Sequence, residues 1–247
     1  MAMKIVSLLN QKNGDALNNR PVTIGFIGDS VTNGCFEVMP SLNEDGTEGI
    51  DVVFDTENAY PAKLKKILTT LYPKAQINII NAGISGDDAP SGLGRIDRDL
   101  IAFKPDLTVV CFGLNDSCYG ESKLSVYRDS LAAIIEKLKN AQSEVILMTP
   151  QPICARVHTQ LRGDALRRFG AQLTDSFKSG LFAKYMDTAR EVAAEHGVPV
   201  CDCYAKWMKL YEGGVDITDL LCNYLNHPTR DMHWLFATSL ADTIFEM

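Results

Sequence analysis

Val22-Thr23-Ile24-Gly25-Phe26-Ile27-Gly28-Asp29-Ser30 is the stretch on which the reading of the fold turns. An apolar, β-branched run of this length reads as a strand buried on both faces, and Gly-Asp-Ser ends it abruptly. Ser30 therefore falls at the C-terminal end of a buried strand, the edge at which open α/β sheets bind ligands. An ordinary strand-to-helix turn with Ser30 as N-cap would use the same residues. The rest of the chain has to decide between a capping hydroxyl and a nucleophile.

Four more apolar, β-branched segments recur at residues 76–81, 107–113, 144–149 and 198–203. Helical periodicity lies between them: Leu64, Ile67, Leu68 and Leu71 share one face, as do Leu131, Ile134, Ile135 and Leu138. A helix over 182–196 stops at Gly197, and Leu235, Phe236, Leu240 and Ile244 keep helical spacing near the end. Strands alternating with helices predict a mostly parallel five-stranded sheet covered on both faces. The spacing leaves no room for a linker, so residues 1–247 read as a single domain with residues 1–20 as an N-terminal extension. Residues 35–58 break the rhythm and read as a long acidic loop. Loops of that length in compact domains are usually functional.

The formal net charge of −7, with no cluster of Lys and Arg, excludes a nucleic-acid partner. No apolar run is long enough to span a bilayer, and residues 1–20 lack the apolar core of a signal peptide. Seven scattered cysteines fit reduced thiols and a cytoplasmic protein. Cys201-Asp202-Cys203 lacks the further ligands of a zinc site, so no metal is expected. No cofactor is expected either. Gly25-x-x-Gly28 is followed by no Gly-Lys-Ser/Thr and lacks the spacing of a dinucleotide fingerprint.

A serine hydroxyl needs a base to take its proton and donors to hold an oxyanion. After the second strand comes Asn81-Ala82-Gly83-Ile84-Ser85-Gly86-Asp87, a turn whose amides can approach a ligand closely. After the third comes Gly113-Leu114-Asn115-Asp116, where Asn115 offers a side-chain amide. Each turn alone could use Gly and Asn for backbone freedom only. Of the four histidines, His158 lies in a polar loop, His196 at a helix end and His233 in the last helix. His227, in Asn226-His227-Pro228-Thr229, precedes that helix in a loop and is the candidate base.

These blocks, in this order and over nearly the whole chain, resemble the SGNH (GDSL-type) hydrolases. The resemblance implies a flavodoxin-like three-layer α/β/α sandwich and ester hydrolysis through an acyl-enzyme. It implies Ser30 as nucleophile, His227 as base, and an oxyanion hole from the Ser30 amide, the Gly86 amide and the Asn115 side chain. One position departs. Where the family pattern is Asp-x-x-His, Tyr224 stands three residues before His227. Asp219 and Asp216 lie just upstream, and Asn223 or a backbone carbonyl could orient the imidazole instead; Asp219 is taken as the candidate acid.

The function expected is a serine esterase acting on short acyl groups, acetyl above all, of a carbohydrate or another small neutral alcohol. The acidic segment between Glu37 and Glu57 is the reason for a neutral substrate, because a mouth of that charge repels anions such as acyl-CoA. The alternative is a ligand-binding module that keeps the fold and has lost catalysis with the acid.

Overall fold

In the computed structural model, which describes residues 3–246, β1 (Val22–Gly28) is buried at every position. The chain then forms a hairpin, β2 (Cys35–Leu42) and β3 (Glu48–Phe54), and continues through β4 (Ile77–Gly83), β5 (Leu107–Cys111), β6 (Glu144–Thr149) and β7 (Val200–Asp202). The helices are α1 (Lys4–Gly14), α2 (Ser30–Asn33), α3 (Tyr60–Leu71), α4 (Ala89–Asp99), α5 (Leu124–Asn140), α6 (Asp164–Lys178), α7 (Leu181–Glu195), α8 (Cys203–Glu212) and α9 (His233–Phe245). Gly197, with φ of +59°, follows the end of α7 where a helix stop was expected.

Five strands form one parallel sheet in the order β4-β1-β5-β6-β7. From β1 the chain steps to β4 on one side, then crosses back to β5, β6 and β7 on the other. Because such crossovers are right-handed, the reversal puts α3 on one face and α4, α5 and α7 on the opposite face. The packing agrees: α3 lies on α9, while α4 packs on α5 and α5 on α7. The fold is the expected three-layer α/β/α sandwich. Its topological switch falls between β1 and β5, where ligands bind in such sheets. Gly28 pairs there with both Gly83 and Cys111, so three strand ends are level beneath Ser30.

Two expectations change. Residues 3–14 are more than an overhang: Ile5 and Leu9 are buried, and the Glu144 carboxylate on β6 accepts the first N–H groups of α1, from Lys4 and Ile5. Met1 and Ala2 lie outside the described residues. The acidic loop is largely a hairpin. Asn43 and Gly46 close its turn, with the Gly46 N–H on the Asn43 carbonyl at 2.9 Å and the Asn43 N–H on the Thr47 carbonyl at 2.9 Å. The strands pair antiparallel from Leu42↔Glu48 to Cys35↔Phe54, with a shift of register between Cys35 and Val38. Acidic residues and Pro40 hide a pattern that only cross-strand pairing completes.

The approach of α2 to β4 depends on a missing side chain. A Cβ at Gly83 would lie 2.3 Å from the Asn33 backbone nitrogen and 2.7 Å from the Thr32 carbonyl carbon. Both are backbone atoms, so relief requires α2, and Ser30 with it, to move. Gly83→Ala is expected to lower unfolding stability by about 1–3 kcal/mol, the usual range for overpacking. Urea denaturation with an unchanged midpoint would contradict this packing.

Candidate active site

Ser30 is the first residue of α2, directly after β1. The N-cap is Asp29 rather than Ser30: Asp29 Oδ1 accepts the Val31 N–H at 2.9 Å. The serine hydroxyl is thereby released from the capping role that its position alone would suggest.

His227 comes from the far end of the chain on a tightly bonded loop. Asn223 Oδ1 accepts three successive N–H groups, from Leu225, Asn226 and His227, at 2.9–3.0 Å. The Cys222 N–H meets the His227 carbonyl at 2.8 Å, Cys154 N–H meets the Leu225 carbonyl at 2.8 Å, and the Gln151 side chain donates to the Asn226 carbonyl. Asn223 therefore holds the backbone of the histidine and not its ring.

The ring makes two hydrogen bonds. Nε2 lies 2.9 Å from Ser30 Oγ, and Nδ1 lies 2.8 Å from the Phe36 carbonyl oxygen. A carbonyl can only accept, so Nδ1 carries the proton and the lone pair of Nε2 faces the serine. Ser30 Oγ–H then donates to Nε2. Burial, with the residue only 5% exposed, pushes the His227 pKa below its ordinary value, opposed by the Phe36 carbonyl and the nearby Glu37 charge. The imidazole is accordingly neutral near pH 7, as a proton acceptor must be.

The sequence-based choice of acid is corrected by this geometry. Asp219 Oδ1 pairs with Arg156 Nη2 at 2.7 Å and lies 3.2 Å from His158 Nε2. Asp216 binds Arg156 Nε at 2.6 Å and caps the Thr218 N–H. Neither carboxylate meets His227. Tyr224, in the family's acid position, is turned away by a left-handed backbone with φ of +57°, and its ring stacks on His158 at 3.9 Å. His233 is also elsewhere occupied: its Nδ1 accepts the Tyr60 N–H at 3.0 Å, and burial drives its pKa to about 3.

Two turns follow the strands that pair with β1 on either side. The Ile84 N–H bonds the Gly28 carbonyl at 3.1 Å, which fastens the β4 turn against the end of β1. Arg95 on α4 strengthens that junction, donating to the carbonyls of Ala82 and Gly28 and to Asp87 Oδ2 at 2.8 Å. Gly86 has φ of +81°, a backbone state that side chains disfavour. Asn115 Nδ2 gives one hydrogen to the Asp87 carbonyl at 2.7 Å, which leaves its second amide hydrogen. The N–H groups of Ser30 and Gly86 have no backbone acceptor among the described residues. The Asp116 carboxylate accepts the N–H groups of Ala89 and Gly113, both at 3.0 Å, and so joins the two turns.

This floor of the site is acidic and buried. Burial, reinforced by neighbouring carboxylates, raises Asp29 to about 7 and Asp116 to about 7. Asp29 Oδ2 is buried with no hydrogen-bond partner among the described residues. Among those residues no cluster of three or more His, Cys, Asp or Glu is placed to hold a metal ion.

The Phe36 carbonyl is the functional group the sequence reading did not assign to a residue. Every residue has a backbone carbonyl, so no residue type could have marked it. The available hint was indirect: an empty acid position in front of a histidine that needs orienting.

The chain resembles known proteins in sequence and in fold. An acetylxylan esterase of Geobacillus stearothermophilus is 31% identical over 134 residues, 51% of this chain and 58% of that protein. An arylesterase of Vibrio mimicus is 29% identical over 44% of this chain and 57% of its own length. The chain spans about half the length of the curated relatives it matches. The crystal structure of Axe2, an acetylxylan esterase from the same Geobacillus, superposes over 90% of this chain and 94% of that one, with TM-score 0.64 and 23% identity. LAE5, an alpha/beta hydrolase from the metagenome of Lake Arreo, Spain, matches over the same shares with TM-score 0.64 and 21% identity. These superpositions speak to the fold. Residues 26–235, which carry Ser30, Gly86, Asn115 and His227, match the GDSL-like lipase/acylhydrolase family, and the chain belongs to it.

Proposed function

We propose that this protein is a serine esterase that hydrolyses short acyl esters, acetyl above all, through an acyl-enzyme formed on a Ser30–His227 dyad. The observation that carries the reading is the 2.9 Å bond between Ser30 Oγ and a His227 Nε2 whose lone pair is fixed by the Phe36 carbonyl. In the reaction, Nε2 takes the hydroxyl proton as Oγ attacks the acyl carbon. Charge moves to the carbonyl oxygen, where the Ser30 and Gly86 N–H groups and the free hydrogen of Asn115 are its donors. The imidazolium returns its proton to the departing alkoxide, leaving the acyl group on Ser30. Water, deprotonated by the same Nε2, then attacks the acyl carbon, and the imidazolium returns that proton to Ser30 Oγ as the acyl–Oγ bond breaks and the acid leaves.

A carboxylate as third member would hold the tautomer and stabilise the imidazolium. The Phe36 carbonyl supplies the first function and, through its dipole, part of the second. The inert binding module loses its main support, since that reading rested on the missing acid.

For the alcohol we propose a carbohydrate. A groove of about 720 Å³ runs between the hairpin and residues 160–166, lined by Glu37 and Val38 on one side and by Asn223 and Tyr224 on the other. These residues flank Phe36 and the His227 loop, so the groove suits the leaving group of an ester held at Ser30. The acetylxylan esterase among the relatives supports the same class. Charge supports this choice less than the acidic sequence of the segment suggests. Glu37 and Asp55 share the single positive charge of Arg230, and Arg162 lines the groove.

Three outcomes follow for the purified protein with p-nitrophenyl acetate. Ser30→Ala and His227→Ala abolish turnover together with labelling by a fluorophosphonate, because dyad members act as a unit. Asn115→Ala lowers kcat by about 10²–10³-fold with little change in KM, the loss expected of one oxyanion donor. Wild-type turnover in Ser30→Ala would end this reading.

Asp219→Asn is expected to keep wild-type kcat, since its carboxylate serves Arg156. The acid limb of kcat/KM reports His227. Protonation removes the base, so activity falls as pH drops, and burial places that fall below the ordinary histidine range. A limb lying above that range would contradict the neutral, buried imidazole.

Rates across p-nitrophenyl acetate, butyrate and laurate should fall with chain length, and acetylated xylooligosaccharides should be deacetylated faster than an acyl-CoA is hydrolysed. Rates rising with chain length, or a preference for the CoA ester, would refute the substrate class.

A further inference from the structure

Arg230 follows His227 by three residues and reaches back over the base of the hairpin. Its Nε donates to Asp55 Oδ2 at 2.7 Å, and Nη1 and Nη2 donate to the two oxygens of Glu37 at 2.6 and 3.1 Å. The guanidinium also lies 4.3 Å from the centre of the Phe36 ring. Glu37 belongs to β2 and Asp55 directly follows β3. One side chain thus grips both strands and the ring of the residue whose carbonyl meets His227. The same ring touches the first residue of α9, His233, at 4.9 Å between centroids.

The hairpin needs such a grip. Its register shifts between Cys35 and Val38, so the β2–β3 ladder alone does not fix where the Phe36 carbonyl points. The hairpin is a separate two-stranded sheet, and two strands by themselves are marginal in water. Arginine suits this position because its planar fork takes a carboxylate bidentately and leaves Nε for a second one, a geometry that lysine cannot copy. Both carboxyls are held below their ordinary range by this guanidinium, so they stay ionised wherever the site works.

We propose that Arg230 is the positioning residue of the site: by clamping the hairpin to the His227 loop it holds the Phe36 carbonyl on Nδ1 and so aims Nε2 at Ser30. The inference rests on the reading of Ser30 and His227 as nucleophile and base. It assigns to an arginine after the histidine the orienting role that the family pattern gives to an aspartate before it. Arg230 acts only through Phe36, without touching substrate.

The test compares Arg230→Gln, Arg230→Lys and the double variant Arg230→Gln/Glu37→Gln with the wild type. For Arg230→Gln the expected result is a kcat lower by about tenfold to a hundredfold with KM nearly unchanged, the cost typical of slight misplacement of a reacting group. Fluorophosphonate labelling of Ser30 should slow by the same factor, and the Nδ1–H proton of His227 should exchange faster with solvent in NMR spectra. Arg230→Lys should fall between the two. The double variant should stay slow, since it removes the unpaired Glu37 charge without restoring the clamp; recovery to wild-type rate would overturn positioning in favour of a charge effect. Wild-type kcat and labelling in a folded Arg230→Gln would equally overturn it. If Arg230→Gln does not fold, Glu37→Gln and Asp55→Asn each release one anchor and should show the same selective loss of kcat. Failure of wild-type Ser30 to label at all would instead reject the reading of the site, so the two failures remain distinct.

Discussion

The hydrogen bond from His227 Nδ1 to the Phe36 carbonyl, 2.8 Å long and buried, is the constraint on which the site depends. It settles which ring nitrogen carries the proton and which faces Ser30. A carbonyl is a weaker electrostatic partner than a carboxylate, but it cannot donate and so admits only one tautomer. The elements around it serve this contact. Asn223 folds the histidine loop, the shift in the hairpin register frees Phe36 from regular pairing, and burial keeps the ring neutral.

Much of this was legible from residues alone. Each strand of the parallel sheet announces itself as a β-branched run, and β1 and β6 have the boundaries that the runs suggest. Ser30 and His227 stand out only in combination, because a hydroxyl at a strand end or a histidine in a late loop is by itself equally at home in an ordinary turn. Gly86 and Asn115 lie in the turns that follow two other strands, β4 and β5, as their sequence contexts suggest. What failed was information that a linear pattern does not hold. The hairpin strands carry charges and Pro40, so their periodicity is weak until the partner strand is known. Asp219 is near His227 in sequence but is drawn to Arg156 in space. The partner of Nδ1 is a backbone atom, and no residue type signals one.

Charge is distributed differently from what the sequence suggests. The segment following Ser30 looks uniformly acidic, yet Glu37 and Asp55, the members nearest the histidine loop, share one guanidinium. Asp29 and Asp116, in the floor, have no cationic partner among the described residues. Asp29 and Asp116 accept backbone N–H groups and are raised toward neutrality by burial. Each serves to shape a turn carrying a proposed oxyanion donor. Polar groups are tolerated in such a buried site where hydrogen bonds order them, and Asp29 Oδ2 is a buried oxygen there with no partner among the described residues.

The tautomer of His227 is the most direct measure of whether this arrangement exists in solution. Nitrogen-15 NMR of the imidazole, assigned by loss of its signals in His227→Ala, distinguishes a protonated from a bare ring nitrogen. The expected spectrum is that of a neutral ring near pH 7 with the proton on Nδ1 and none on Nε2. A proton on Nε2, or an imidazolium at that pH, would contradict the hydrogen bonding that aims this histidine at Ser30.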